Sequence, residues 1–408
     1  MIDPIHRHYA SGFCLDLALM IGFTAMPFYV YERIGGGAVM SGAIGAGLSL
    51  SYAAVCILGG GLVAKARIKL RVASLGVFGF ACFFLLSSFF RDPIVFACLS
   101  MCGFGCVALA WPTLHAWLGG EPDLSKRGRY MARFNLSWSL GMALGTLFSG
   151  YLFDKYYRLP YLCLFAFASF AAAAIFFQPQ ERSYFGEAPR GTQEKHQSHT
   201  RLSETYLLPT WVACVTGWCL LSACRTVFPK HFEAMVVDGQ LTLFAGPPPV
   251  EGWPVGAATL FSILAFGITS ASFAVFMFMG HTASWRHTFR FVVALELMAC
   301  AASWLLATTH SMVVLLACYT VVGVNVYAAF FAALFYSMAN PVKKHRRTSI
   351  NESLVGVGSF VGPLSFGWAA HEWTVSTPFM YAPLFMLISI AVQVILLRRR
   401  RSVAVVKR

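Results

Sequence analysis

The run QPQERSYFGEAPRGTQEKHQSHTRLSE, from Gln178 to Glu204, is the one long polar stretch of the chain without an apolar core of its own. About six apolar segments lie on each side of it, and the two sets echo each other. Asn135-Leu136-Ser137, followed by Gly141, Gly145 and Gly150, returns as Asn351-Glu352-Ser353, followed by Gly358, Gly362-Pro363 and Gly367. Each copy follows a basic cluster, Lys126 to Arg129 in the first and Lys343 to Arg347 in the second. PFYVYE from Pro27 to Glu32 is matched more loosely by PKHFE from Pro229 to Glu233. The polar run is therefore read as a cytoplasmic linker, residues 179–206, between two copies of one unit, residues 1–178 and 207–408.

A chain of 408 residues that is 58% hydrophobic and 12% charged does not have the composition of a soluble domain. Apolar runs of ~20 residues recur along its length, as crossing a hydrocarbon core of ~30 Å requires. Twelve spans are predicted, at 10–31, 38–63, 72–90, 93–118, 131–153, 159–178, 207–229, 256–280, 289–308, 311–338, 350–370 and 376–397. The fold class is an all-α membrane protein, with twelve transmembrane helices in two pseudo-symmetric six-helix bundles. His231 to Gly256 reads as an external loop, because its glycines and prolines cannot continue a helix.

The formal charge of +14 concentrates in alternate connections. Lys65, Arg67, Lys69 and Arg71 lie on the same side as Lys126 to Arg133, Arg286, Arg290, Lys343 to Arg347 and the tail from Arg398. That bias places both termini in the cytoplasm and accounts for the charge without a nucleic-acid partner. The expected setting is the plasma membrane, a bacterial inner membrane in the first instance, with the chain as a monomer in the bilayer. MIDPIHRHYASG shows no cleavable signal pattern, so the first span would serve for insertion. The twelve cysteines sit almost entirely inside apolar segments, where cysteine behaves as a small hydrophobe. Neither a disulfide nor a metal site is expected of them.

Twelve spans in two similar halves, cytoplasmic termini and a polar central linker together resemble the major facilitator superfamily, over the whole chain. The resemblance implies two bundles facing each other across a central cavity that opens alternately to each side. The family signature after the second helix runs glycine, three residues, an acid, then a basic-Gly-basic cluster. Here Gly61 and the bases Arg67, Lys69 and Arg71 are kept, but Lys65 stands where the acid belongs. The fifth helix is glycine-rich, as in the family, and the Gly-Pro pair usual there occurs instead at Gly362-Pro363 in the eleventh.

Ionisable residues inside spans point to function. Asp16 shares a stripe with Met20, Phe23 and Pro27, and reads as a proton carrier or as a carboxylate hydrogen-bonded near the cytoplasmic mouth. Trp211, Val215, Trp218, Ser222 and Arg225 share one face of the seventh helix. The resemblance makes that helix cavity-lining, so Arg225 would hold a carboxylate or phosphate, unless it snorkels to the external interface. His115 and Trp111 share a stripe of the fourth helix, also cavity-lining in the family. His115 would exchange a proton with Asp16 or simply hydrogen-bond at its helix end. Glu296, on a helix peripheral in the family, reads as protonated and bonded within its own bundle. Asn325, Asn135 and Trp138 would offer cavity hydrogen bonds or join helices.

In the family, the acid after the second helix meets the N-terminus of the eleventh and locks the bundles. A reversed lock is expected here, Lys65 or Arg67 with Glu352, unless Glu352 only caps its helix; Gly362 and Pro363 would serve packing and gating. No nucleophile elbow, zinc-binding His-Glu-x-x-His or phosphate loop is present, so neither enzyme nor cofactor is expected. The reading is a secondary active transporter of a small solute, proton-coupled. The alternative is a non-transporting membrane protein of this fold, acting in assembly or in lipid or pigment handling.

Overall fold

The computed structural model describes residues 4–65, 68–119, 124–179, 193–244, 255–338 and 344–406. They form helices α1 (Pro4–Tyr29), α2 (Ala38–Lys65), α3 (Lys69–Ser87), α4 (Pro93–Val107), α5 (Ala110–Gly119), α6 (Leu124–Lys155) and α7 (Leu159–Phe176) in the first half. The second half holds α8 (Gln193–Thr226), α9 (Phe228–Val237), α10 (Ala257–His281), α11 (Phe289–Thr308), α12 (Met312–Met338), α13 (Lys344–Glu372) and α14 (Thr377–Val406). Among the described residues, 11 segments are long and apolar enough to cross a membrane, and Pro93–Val107 is a shorter apolar helix. This is a multi-pass membrane protein. The start of α1 and the end of α14 lie on one face, called here the termini face; the other is the far face.

Three sequence expectations need correction. The fourth span, expected as one helix over 93–118, is two helices with a turn at Ala108 and Leu109. Pro112 has no N–H to give the carbonyl four residues back, so the helix breaks at Ala108. The segment from His231, expected as loop, is helical to Val237: Pro229 sits in the first turn of α9, where a missing N–H does no harm. The eleventh span begins at Ile350 as expected, but its helix, expected to begin there too, begins at Lys344, so Glu352 lies in the third turn rather than the first. Helix α8 begins at Gln193, within the sequence stretch read as linker.

Glycine sets how the helices meet. A methyl built on Gly145 of α6 would lie 2.5 Å from the Leu17 carbonyl oxygen of α1, and Gly141 is pressed as closely on Phe13. In the second half, a methyl on Gly358 of α13 would lie 2.6 Å from the Val215 carbonyl of α8, and Gly362 abuts Cys219. The echo seen in the sequence is thus the same backbone seam built twice. The third glycine of each set reaches across to the other half. Gly150 packs on Ala258 and Ser262 of α10, and Gly367 packs on Ala38 and Gly42 of α2. Gly42 in turn lies against the Pro363 carbonyl, so Gly362-Pro363 is wedged between a helix of its own half and one of the other.

Apolar side chains gain nothing from leaving lipid for a helix interface, so close backbone packing carries the association. Gly362→Ala, with no room beside Cys219, should cost on the order of 1–3 kcal/mol and lower the Tm of the purified protein. Gly280→Ala, whose methyl meets nothing within 4 Å, should leave it unchanged. Equal melting of the two variants would contradict the seam.

Candidate functional site

The far mouth is closed by the end of one helix. The last carbonyls of an α-helix lack partners from their own helix. Here Cys224 accepts from Tyr319 Oη at 2.9 Å, within the second half. Thr226 accepts from Tyr31 Oη at 2.9 Å and from Ser41 Oγ at 2.7 Å, both in the first half. Tyr31 lies in a π-helical turn, Val30–Ile34, that ends at Gly35 with φ of 78°. Phe28 packs on Phe261 across the halves, with ring centroids 5.5 Å apart. On the second seam Asp154, in the last turn of α6, accepts from the Thr259 backbone N–H at 2.9 Å and from its hydroxyl. A carboxylate of one half thus meets the positive N-terminus of a helix of the other. Ser262 Oγ adds a hydrogen bond from the Gly150 N–H at 2.7 Å.

Just inside this closure lie the charges. Arg225 stands in the last turn of α8, where a cation suits the negative helix end. Its side chain points back along the helix, away from the far mouth. Nη2 donates to Tyr327 Oη of α12 at 3.3 Å, and Tyr327 Oη donates to Met142 Sδ of α6 at 3.5 Å. Asp16, buried on α1, lies within electrostatic reach of both Arg225 and Tyr327. Asp16 and Arg225 are thus within electrostatic reach of each other at the junction of the halves, with no direct ion pair between them among the described contacts. Arg225 is half-buried, whereas Phe28, Ser41, Thr226 and Phe261 beyond it are fully buried.

Aromatic rings line the approach. Trp218 of α8 meets Tyr327 and Phe330 edge-on at 6.4 and 6.3 Å, and its buried Nε1 has no acceptor among the described residues. Trp138 packs edge-on to Phe276 of the other half at 5.6 Å and to Trp111 at 6.4 Å. Trp138 Nε1 donates to Asn135 Oδ1 at 3.1 Å, so these two bond to each other. Ser222 is buried on the face of Arg225, and its carbonyl accepts from Thr226 Oγ1. Trp211 is occupied otherwise: Nε1 donates to Ser337 Oγ at 3.0 Å, joining α8 to α12.

Other expected positions fall elsewhere. Asn325 lies two residues from Tyr327, roughly 200° around α12, and so on the side away from the charges. The side chains of His115 and Lys65, and the whole of Arg67, lie outside the described residues. Glu352 faces Tyr52 and Cys56 of α2, about 13 Å of helix rise from Lys65, and Arg347 pairs instead with Glu204 at 2.9 Å. The expected partners of Glu352 in the reversed lock, the Lys65 side chain and Arg67, lie outside the described residues. Tyr327, Met142, Tyr31, Ser41 and Asp154 were not singled out by sequence. Only Tyr31 carried a signal, its place in the echoed PFYVYE segment.

The chain matches the model of the family described as Major Facilitator Superfamily over residues 9–351. No curated protein matches it. The POT family transporter PepTSo is similar in structure, with a TM-score of 0.74 at 12% identity, covering 98% of each chain. The nucleoside transporter NupG is similar with a TM-score of 0.73 at 11% identity, covering 97% of this chain and 99% of that one. The human organic anion transporter MFSD10 (TETRAN) has a TM-score of 0.59 at 16% identity, covering 96% of this chain and all, 100%, of that one.

Removing both hydroxyls from the Thr226 carbonyl, with Tyr31→Phe and Ser41→Ala together, leaves a buried acceptor unpaired, at about 1–3 kcal/mol. The far mouth should then open more often. A cysteine at Thr226 in a cysteine-free background should react several-fold faster with a thiol reagent in the double variant. An unchanged rate would show that these bonds do not hold the mouth.

Proposed function

The chain belongs to the major facilitator superfamily, and from that premise we propose that it is a secondary active transporter of a small anionic solute, coupled to protons and working by alternating access. The observation that carries the reading is Arg225, half-buried at the junction of the halves, with Tyr327 on one side and Asp16 within reach. A guanidinium stays charged and presents a planar fork that fits carboxylate or phosphate. Trp218 Nε1, a buried donor with no acceptor, supplies a further hydrogen bond beside it. The surrounding rings suit a solute with an apolar or aromatic body.

Coupling follows from the two charges. An ionised Asp16 answers the charge of Arg225 and competes with an anion for it. A proton on Asp16 removes that competition, so proton and solute bind together and leave together. His115 on α5 is the second candidate for the proton path. With both termini in the cytoplasm of a plasma-membrane protein, the far mouth is the external one, and this conformation exchanges solute with the cytoplasm. Opening the other way would release Tyr31 and Ser41 from Thr226 and separate the ends of α1 and α8.

Counterflow by the purified protein in liposomes, over a panel of organic and phosphorylated anions at two pH values, tests the reading. Affinity for the transported anion should fall as pH rises, because deprotonated Asp16 reclaims Arg225. Arg225→Lys should weaken binding at least tenfold by replacing the fork with a point charge. Asp16→Asn should bind with no pH dependence and still exchange solute. Binding unchanged in Arg225→Ala would end the anion assignment. Wild-type pH dependence in Asp16→Asn would place the proton elsewhere.

A further inference from the structure

A second buried polar layer lies inside the C-terminal half, away from the central charges. Gln393 Nε2 of α14 reaches both carboxylate oxygens of Glu296 on α11, at 2.7 and 3.0 Å, and Ser389 Oγ at 3.1 Å. Ser389 Oγ lies 2.7 Å from Thr216 Oγ1 of α8. Asn325 of α12 joins them by register. Ala213, Val292 and Ala329 form one small apolar cluster between α8, α11 and α12. One turn nearer the far face, the same three helix faces present Thr216, Glu296 and Asn325. All five polar side chains are at least nine-tenths buried, with Glu296 and Gln393 at 0% exposure.

This layer is under-satisfied in a particular way. Two amide protons of Gln393 serve three acceptors, while Gln393 Oε1 and both amide atoms of Asn325 make no hydrogen bond. Glu296 has no ion pair among the described residues. A buried carboxylate without a positive partner is strongly disfavoured, so the layer calls for a cation. Its donors are oxygens alone: one carboxylate, two amides and two hydroxyls. No group of three His, Cys, Asp or Glu residues surrounds it, among those described. Hard oxygen ligands bearing a single negative charge suit an alkali ion rather than a transition metal or a divalent ion. A proton on Glu296 makes one hydrogen bond and leaves an amide oxygen unpaired. A metal cation draws in all the oxygens, once the Gln393 amide turns over to present Oε1.

We propose that Glu296, Gln393, Asn325, Ser389 and Thr216 form a binding site for a sodium ion. The site ties α8, the helix that carries Arg225, to α11, α12 and α14. It stands independently of the transport reading, since binding alone defines it.

The test uses the purified full-length protein, with NaCl exchanged for choline chloride at constant ionic strength and at two pH values. Sodium should raise Tm in a saturable way, on the order of 5 °C. The rise should be absent in Glu296→Gln, Asn325→Val and Gln393→Leu, and retained in Asp16→Asn. Should those variants fail to fold, equilibrium binding of radioactive sodium to the wild type and to Thr216→Val decides: saturable binding, weakened several-fold in the variant, is expected. No sodium response in either measurement overturns the proposal. So does a stability that follows pH alike in sodium and in choline, which assigns the layer to a proton. A sodium response that survives in the folded layer variants places the ion elsewhere and overturns it too.

Discussion

Everything in this architecture rests on helix backbones touching where glycine removes the side chain. Lipid tails are as apolar as leucine, so burial supplies little drive for two spans to associate. Close approach gathers many small contacts, and hydroxyls reinforce the same seams. Ser137 Oγ donates to the Tyr9 carbonyl at 2.7 Å, and Ser149 Oγ to that of Ile21 at 2.6 Å, both from α6 to α1. Because α6 and α13 each carry glycines that face their own bundle and glycines that face the other half, one helix both completes its own bundle and meets the other. Bundle integrity and the inter-bundle contact are therefore written on the same helices.

The duplication also shows where the halves part company. Phe13 and Leu17 of α1 occupy the seam positions that Val215 and Cys219 occupy on α8. Asp16 and Trp218 are then equivalent positions, one a carboxyl and the other an indole with an unpaired N–H. In the same register Pro27 matches Pro229 and Thr24 matches Thr226, while Arg225 is matched by Phe23. Each half thus brings one charge, at different depths. A symmetric scaffold holds an asymmetric site.

Much of this was legible in the sequence, for physical reasons. Spans announce themselves by length and apolarity, and the glycine sets by their repetition. Arg225 and Asp16 stand out because charge inside a span is rare. Tyr327 was hidden, since α12 is apolar on every side and a tyrosine there looks like core. Asn325 is ambiguous for the opposite reason: a polar residue in an apolar helix signals a partner without saying on which side the partner lies. The start of α13 was misjudged, because basic residues extend a helix readily and carry it back to Lys344, which moves Glu352 out of the first turn. The break at Ala108 could have been read from Pro112, four residues on.

The placement of Arg225 next to Thr226 couples the site to the mouth. The Thr226 carbonyl is held by Tyr31 and Ser41, and the Arg225 side chain turns back toward Tyr327 and the level of Asp16. Any motion that opens the far mouth must draw the end of α8 away from the ends of α1 and α2. That motion also separates the helix of Arg225 from the helix of Asp16. Attraction between the two charges opposes it, and a proton on Asp16 or an anion on Arg225 weakens that attraction. Under the proposed function, occupancy of the central site would enter the energy of the far mouth through adjacent residues of one helix, with no relay between distant elements.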